Sequence, residues 1–195
     1  MSYGFASTRL KLTSQGTTDD ARFTKHAVSA SLDRRVGDRW TLGGAVGATL
    51  VGTLDVAGRT YDLSPGPMLT FAASYRALDE GDVAPFVLLT ASLGAALGWT
   101  SPVNGSGSES MLAFDGRIGV AAGKTIAHAV TPYLLARAFG LPILWHDRGA
   151  DVTGTDAYHY QLGAGVVARW GRFDVSVEGV PFGERAIVGG AGVAF

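Results

Sequence analysis

Two histidines close to acidic residues are the side chains whose type and spacing could support catalysis. His146 is followed directly by Asp147, and Asp156 precedes His159 by three positions. A histidine held by a carboxylate can act as a general base that activates water. These four residues flank one predicted loop, and we keep them as hydrolase candidates without assigning a catalytic residue.

A larger set of charged side chains falls on one face of the predicted strands, opposite an apolar face. Because a buried charge needs a partner, we expect opposite signs to pair across an interior. Charges near mid-strand would then fill and rigidify that interior, or line a narrow polar pore. The predicted network comprises Arg9, Asp33, Arg35, Asp55, Arg76, Asp115, Arg117, Arg137, Arg169, Asp174 and Glu178.

Metal and cofactor chemistry finds little support in the chain. There is no cysteine, and the 4 histidines are scattered, so we predict no metal site. The glycine-rich segments are not followed by a predicted helix, as a nucleotide loop requires, and we predict no cofactor. The net charge of -1 argues against a nucleic-acid partner held by electrostatic attraction.

Long alternating segments must position these side chains. From Trp40 to Val56, one face is apolar at every second residue, and the other is small or polar. A tilted strand needs only about 9–11 residues to cross a bilayer, so the excess should project beyond it. Ten such segments can be counted: about 3–14, 22–36, 39–57, 66–78, 83–100, 109–124, 129–146, 157–170, 172–180 and 185–195.

The connections between these segments alternate in length. The short ones are 37–38, 79–82, 126–128 and 171; the longer ones are 15–21, 58–65, 101–108 and 147–156, with a tight last one at 181–184. This alternation predicts an all-β fold: a closed antiparallel up-and-down transmembrane β-barrel in a single domain, 1–195. Ten strands fit the pattern best, and eight is the alternative.

Aromatic residues predict two belts at the ends of the strands, as membrane interfaces favour. Trp40, Trp170 and Phe195 lie near the short connections. The other belt, near the longer connections, comprises Trp99, Trp145, Tyr158 and Tyr160. A soluble sandwich would bury its tryptophans in the middle of its strands instead.

Two segments fit this pattern poorly. Arg9 and Lys11 share a face with Tyr3 and Phe5 in the first segment. In the seventh, Arg137 has the same parity as Trp145, which would place the charge in lipid. We predict a bulge near 140–142 that switches the parity and returns Arg137 to the interior, because proline inside a sheet favours bulges.

The last segment carries a resemblance to a known class of protein. Ile187, Gly189, Ala191, Val193 and Phe195 share one face, and the chain ends on this aromatic residue. This pattern resembles the C-terminal strand of small bacterial outer-membrane β-barrels. The resemblance implies contact with the lipid bilayer and lipopolysaccharide, recognition by the barrel-assembly machinery through the strand ending at Phe195, and periplasmic termini. It also implies a monomer.

The functional hypotheses follow from that class. The leading one is a small integral outer-membrane protein, structural or a narrow passive pore with a charged, largely plugged lumen. An outer-membrane hydrolase with a His–Asp site at the extracellular rim is the second, as in the omptin proteases, which this chain resembles only in its predicted strand count. A surface adhesion or recognition module is the third, and the short loops disfavour it.

Overall fold

The computed structural model describes residues 1–140, 142–147 and 149–195. No helix within these ranges is long and apolar enough to cross a membrane. The described residues form one antiparallel sheet of thirteen strands: β1 (Ser2–Ser14), β2 (Thr17–Val36), β3 (Trp40–Val56), β4 (Arg59–Ser64), β5 (Gly66–Leu78), β6 (Phe86–Pro102), β7 (Glu109–Gly123), β8 (Val130–Phe139), β9 (Ile143–Asp147), β10 (Ala150–Asp156), β11 (Tyr160–Trp170), β12 (Phe173–Gly183) and β13 (Arg185–Val193).

Ten of these described strands close into a ring, which we call the wall. The order around the wall is β1, β2, β3, β5, β6, β7, β8, β11, β12 and β13. The last strand pairs with the first, for example Gly189 with Tyr3, so the described ring has no open edge.

A narrower ring continues from one end of the wall, and we call it the extension. Its described strands are β4, β9 and β10, together with the ends of β1, β2, β3, β6 and β7 that lie beside them. The hairpin of β12 and β13 turns back at Glu184 and does not reach it. Strand β1 therefore pairs directly with β10 in the extension, for example Leu12 with Gly154. Two of the longer predicted connections, 58–65 and 147–156, thus contain strands.

The two rings have opposite polarity. Apolar side chains on the outer face of the wall are exposed, among them Leu93, Ile118 and Leu134. The extension instead encloses an apolar core: Leu10, Leu12, Ala21, Phe23, Leu54, Tyr61, Leu63, Met111, Ile143, Trp145 and Val152. The interior of the extension is therefore filled by its own side chains.

Strand β3 changes parity between the two rings. His26 pairs with Val51, but the next residue, Ala27, pairs with Thr49, so Leu50 is an extra residue. Such a bulge moves the side chains on one side of it to the opposite face. The prediction of one lipid-facing stripe from Trp40 to Val56 is wrong beyond the bulge, where Leu54 is buried in the core. Asp55, predicted inside, consequently points outward.

In β1 the predicted inward face is the outer face along the whole strand. Leu10 and Leu12 are buried, and Arg9 alternates with them and is exposed. The register with β2 continues without interruption from Ser2 to Ser14, so Tyr3 also points outward. The placement of Arg9 in the lumen is therefore wrong: the outer face of β1 carries aromatic residues beside the wall and charged, exposed residues beside the extension.

The seventh predicted segment forms β8 and β9, and no change of parity separates them. Arg117 pairs with Phe139 of β8, and Ala113 pairs with Ile143 of β9. The step between these two pairs is four residues on β7 and also four residues from β8 to β9. The parity is therefore the same before and after positions 140–142, of which Leu141 lies outside the described residues. Arg137 points inward, and so does Trp145, which is 4% exposed. Its assignment to an aromatic belt is wrong because it belongs to the core of the extension.

Candidate functional site

An ion pair lies in the lumen of the wall and spans one strand. Arg137 on β8 donates two hydrogen bonds to Glu178 on β12, from Nη1 to Oε1 at 2.7 Å and from Nη2 to Oε2 at 3.0 Å. The Tyr133 hydroxyl donates to the same Oε2 at 2.9 Å. A bidentate arginine–carboxylate pair is both strong and geometrically fixed, so it holds β8 to β12 across the strand between them.

Two glycines make room for this pair. The Tyr133 ring lies over Gly165 on β11, where a Cβ atom would collide with the phenol. The Arg137 side chain passes Gly119 on β7, where a Cβ atom would lie 2.7 Å from Arg137 Cγ. Glycine inside a strand often marks such a close approach. The small inward residues of the wall therefore admit the large charged ones.

A second cluster lies around Arg117, between the ion pair and the extension. Its guanidinium donates to both carboxylate oxygens of Asp115, at 2.7 and 2.6 Å. Nη2 is also 3.2 Å from Oε2 of Glu184, and Nη1 donates to Gln161 Oε1 at 3.3 Å. The Phe139 ring lies beneath the guanidinium, 5.7 Å from centroid to Cζ. The protein thus supplies this cation with two carboxylates, an amide oxygen and an aromatic ring.

Glu184 is the member of this cluster that sequence reasoning missed. It lies in the tight turn between β12 and β13, yet it is 4% exposed and accepts a hydrogen bond from Gln161. Gly183 precedes it with φ of 83°, a conformation that glycine adopts without strain. The turn therefore folds its glutamate over the lumen. A carboxylate in a predicted turn gives no sequence signal for such burial.

The remaining predicted network residues lie elsewhere. Arg35 donates to the carbonyl of Asp38 at 2.6 Å, and Arg76 lies 3.9 Å from Asp79, both beside short connections. Arg169 and Asp174 are direct register partners near the same end of the wall. Asp33 lines a lumen cavity of about 360 Å³ that reaches Arg117 and Arg137. The charges thus divide into a packed middle and a more open end.

The core of the extension lies beyond the other end of the lumen. Trp145 Nε1 donates to Thr100 Oγ1 at 2.8 Å, and Thr100 is fully buried. The Tyr61 ring meets the Trp145 ring edge to face, with centroids 5.0 Å apart. Side chains packed in this way fill the interior of the extension. From the cavity beside Asp33, the lumen passes through the Arg117 cluster into an apolar core.

The structure does not bring the four hydrolase candidates together. His146 Nδ1 lies 2.9 Å from Asp151 on the exposed outer face, and this carboxylate raises the pKa of His146. Asp147 accepts from the Tyr61 hydroxyl at 3.4 Å. Asp156 accepts from Thr8 Oγ1 at 3.3 Å, and His159 Nδ1 lies 3.3 Å from the Phe139 carbonyl oxygen. Each candidate therefore has its own, separate partner.

Metal ligands are equally dispersed. Within residues 1–140, 142–147 and 149–195, no three histidine, aspartate or glutamate side chains lie close enough together to hold a metal ion.

The other predicted aromatic residues lie on the outer face of the wall. Trp40 and Tyr75 pack at 5.0 Å between ring centroids near the short connections, where Trp170 is also exposed. Tyr158 and Tyr160 lie near the opposite end, with centroids 6.2 Å apart. Trp99 is exposed on β6, and Phe195, beyond β13, is exposed as well.

Comparisons with known proteins give structural likeness only. No protein-family model and no curated protein sequence matches the chain. Among solved structures, the translocator domain of the autotransporter NalP from Neisseria meningitidis matches with a TM-score of 0.50 and 12% identity, over 100% of this chain and 88% of that one. This likeness shows the fold of outer-membrane β-barrels.

Two further structures align over the whole chain at lower similarity. The transport unit of the autotransporter AIDA-I from Escherichia coli has a TM-score of 0.46 and 9% identity, with 88% of that chain covered. The toluene transporter TodX from Pseudomonas putida has a TM-score of 0.36 and 8% identity, with 80% of that chain covered.

Proposed function

We propose that this chain is an integral protein of the bacterial outer membrane, in which the wall spans the bilayer as a ten-stranded barrel and the lumen is closed. Its role is structural: it anchors the extension at the membrane surface as a monomer surrounded by lipid and lipopolysaccharide. Side-chain packing carries this proposal, because the Arg117 cluster and the core around Trp145 fill successive parts of the interior.

The outer face of the wall supports residence in a bilayer. Phe71, Leu93, Ile118 and Leu134 are between 62% and 69% exposed there, a stripe that is unfavourable in water and favourable in lipid. The closed ring satisfies its backbone hydrogen bonds internally, as a spanning structure requires.

Conductance in planar lipid bilayers tests the closed lumen. We expect no discrete current steps from protein that has inserted, with an open porin as the positive control for detection. Regular single-channel steps would contradict the closed lumen and support a narrow pore. Insertion is measured separately, by heat-modifiable gel migration and β-rich circular dichroism in detergent; a monomer that stays soluble without detergent would contradict the membrane location.

The orientation is part of the proposal: the termini and short connections are periplasmic, and the extension is extracellular. The chain has no cysteine, so a single introduced cysteine is the only site in this protein that a maleimide can label through a thiol. A membrane-impermeant maleimide applied to intact cells should label Ser106→Cys, in the exposed connection between β6 and β7, and leave Asp38→Cys unlabelled until the cells are broken. The reverse pattern would contradict this orientation.

Assembly of the barrel is also proposed to pass through its last strand. The outer face of β13 carries Ile187 and Val193, which are 63% and 54% exposed, and Phe195 follows them. We expect Phe195→Ser to slow folding into bilayers that contain the barrel-assembly machinery, while folding into detergent stays unchanged. Equal effects in both settings would contradict recognition of this residue by the machinery.

A further inference from the structure

Three arginines lie together on the outer face where the short β12–β13 hairpin ends. Arg9 and Arg22 are direct register partners on β1 and β2. Arg185, the first residue of β13, pairs with Ser7, two positions along β1 from Arg9. All three are exposed. We call this group the arginine shoulder.

In the part of the chain that the structure describes, none of the three arginines forms an ion pair with a carboxylate. Asp55, the register partner of Arg22 on β3, is a neighbouring carboxylate, and its Oδ1 accepts a hydrogen bond from Thr60 at 2.7 Å. One such carboxylate leaves the three arginines with a net positive charge. Like charges placed directly opposite each other destabilise a sheet. An anion bound between them would offset this repulsion.

A pocket of about 330 Å³ opens at the arginine shoulder. The three arginines line it together with aromatic and small residues: Ser7, Thr8, Tyr158, Tyr160, Pro181, Phe182 and Gly183. Tyrosine rings mark the level of the lipid headgroups on a membrane protein. The pocket therefore lies at the depth where the charged groups of outer-leaflet lipids are found.

An apolar groove of about 740 Å³ continues from this pocket along the outer face of the wall. Phe5, Leu162, Ala164 and Ile187 line it together with Gly179, where the missing side chain leaves open space. Phe182 and Arg185 line both the groove and the pocket. One molecule can thus occupy the two spaces, with an anionic group in the first and a hydrocarbon chain in the second.

We propose that the arginine shoulder and the groove bind a phosphorylated glycolipid of the outer leaflet, the lipid A part of lipopolysaccharide. Its phosphate lies among the three guanidiniums, which present paired N–H donors that match phosphate oxygens, and an acyl chain lies in the groove. The apolar groove favours a lipid phosphate over free phosphate. This inference rests on the proposed function, because the groove faces lipid only if the wall spans the membrane.

Titration of the purified full chain in detergent tests this inference with two probes. The unmodified protein should bind bisphosphorylated lipid A at least about tenfold more tightly than the same lipid without its phosphates, since charged hydrogen bonds are at stake. Raising the salt concentration should reduce that difference. Equal affinity for the two lipids would overturn the proposal without any variant. Inorganic phosphate that binds as tightly as lipid A would also overturn it, because it would show that the groove contributes nothing.

Variants locate the site. The triple change Arg9→Gln, Arg22→Gln and Arg185→Gln should abolish the preference for the phosphorylated lipid. Arg34→Gln, at an exposed position near the other end of β2, is the matched control and should retain it. A triple variant that folds and keeps the full preference would place the phosphate site elsewhere and overturn the proposal.

The groove is tested by Ala164→Phe, an apolar change that fills it. We expect weaker binding of lipid A with the shoulder unaltered, and unchanged affinity would overturn the role of the groove. Bilayer insertion of the same preparations separates the two proposals. Failure to insert removes the proposed function, whereas insertion without discrimination between the two lipids removes only this inference.

Discussion

The wall and the extension share strands, but apolar side chains lie on the outer face of the wall and on the inner face of the extension. The comparison shows how a single strand can present its apolar residues to opposite sides along its length. On β1, Phe5 points outward from the wall, and Lys11, on the same face, points outward from the extension. On the opposite face, Gly4 points into the wall and Leu12 into the core of the extension. The apolar side chains follow the less polar surroundings: lipid outside the wall, protein inside the extension.

Two mechanisms produce this reversal. In β1 the residue types change along the strand while the register stays constant. In β3 the apolar alternation continues, and the bulge at Leu50 turns it from the outer face to the inner one. Both mechanisms give the same result. The face that is apolar therefore depends on the position along the barrel, and either a change of residue type or a bulge can switch it.

The core of the extension should respond most strongly to truncation. Trp145→Ala removes a large side chain that packs on Tyr61, and we expect it to lower the free energy of unfolding by about 3–5 kcal/mol. Trp99→Ala, on the outer face of β6, is the matched control and should cost much less. Urea unfolding in detergent, followed by circular dichroism, measures both. Equal losses would mean that the extension lacks a distinct core.

The lumen of the wall depends on charge and not on apolar packing, so a double-mutant cycle should separate it from the extension. Arg137→Met leaves Glu178 buried without its cation and should cost about 3–5 kcal/mol. Adding Glu178→Leu should recover part of that loss, because no unpaired charge remains. Stability of all four proteins in urea gives the coupling. Additive losses would contradict a paired interior.

The comparison also shows what the sequence can predict. The alternation in β6, β7, β11 and β12 indicates the inward positions of Arg117 and Glu178, since the shift in pairing between β11 and β12 lies beyond Gly179. It gives no sign of the bulge at Leu50, because Trp40 to Val56 alternates without interruption, and only the pairing with β2 reveals the extra residue. The sequence pattern of an apolar face is the same whether lipid or a protein core covers that face.

The misplacement of Trp145 has the same origin. Its position near a long connection fits an interfacial belt equally well as a core, and its neighbours in that core come from β4 and β6, which are distant in sequence. The burial of Glu184 depends on a turn conformation and on contacts with Arg117 of β7 and Gln161 of β11. Such contacts are properties of the closed ring and not of any single segment.

Close packing within the wall should produce a smaller effect than either interior. Gly165→Ala places a methyl group against the Tyr133 ring, which must move and weaken its hydrogen bond to Glu178. We expect a loss of about 1–3 kcal/mol, as for other overpacked sites. Gly179→Ala, where a Cβ atom would meet open space, is the matched control. If both variants lose the same free energy of unfolding, the Tyr133 ring can move without cost and the prediction is wrong.

The boundary between the two rings should show the smallest effect, through the ionisation of Asp156. This residue ends β10 in the extension, and burial, together with the negative charge of Glu184, raises its pKa to about 6. An aspartate in an unfolded chain has a pKa of about 3.9, so the folded state binds this proton more tightly. The resulting stability is fully present below about pH 4 and is lost as the pH rises through about 6. Because Asp156 is only half-buried, we expect a change of only about 1 kcal/mol. Asp156→Asn should remove that change when urea unfolding is compared at pH 4 and pH 7, and Asp62→Asn, on the exposed face of β4, should preserve it. A pH dependence that survives Asp156→Asn would assign the titration to another group and leave the boundary without a buried acid.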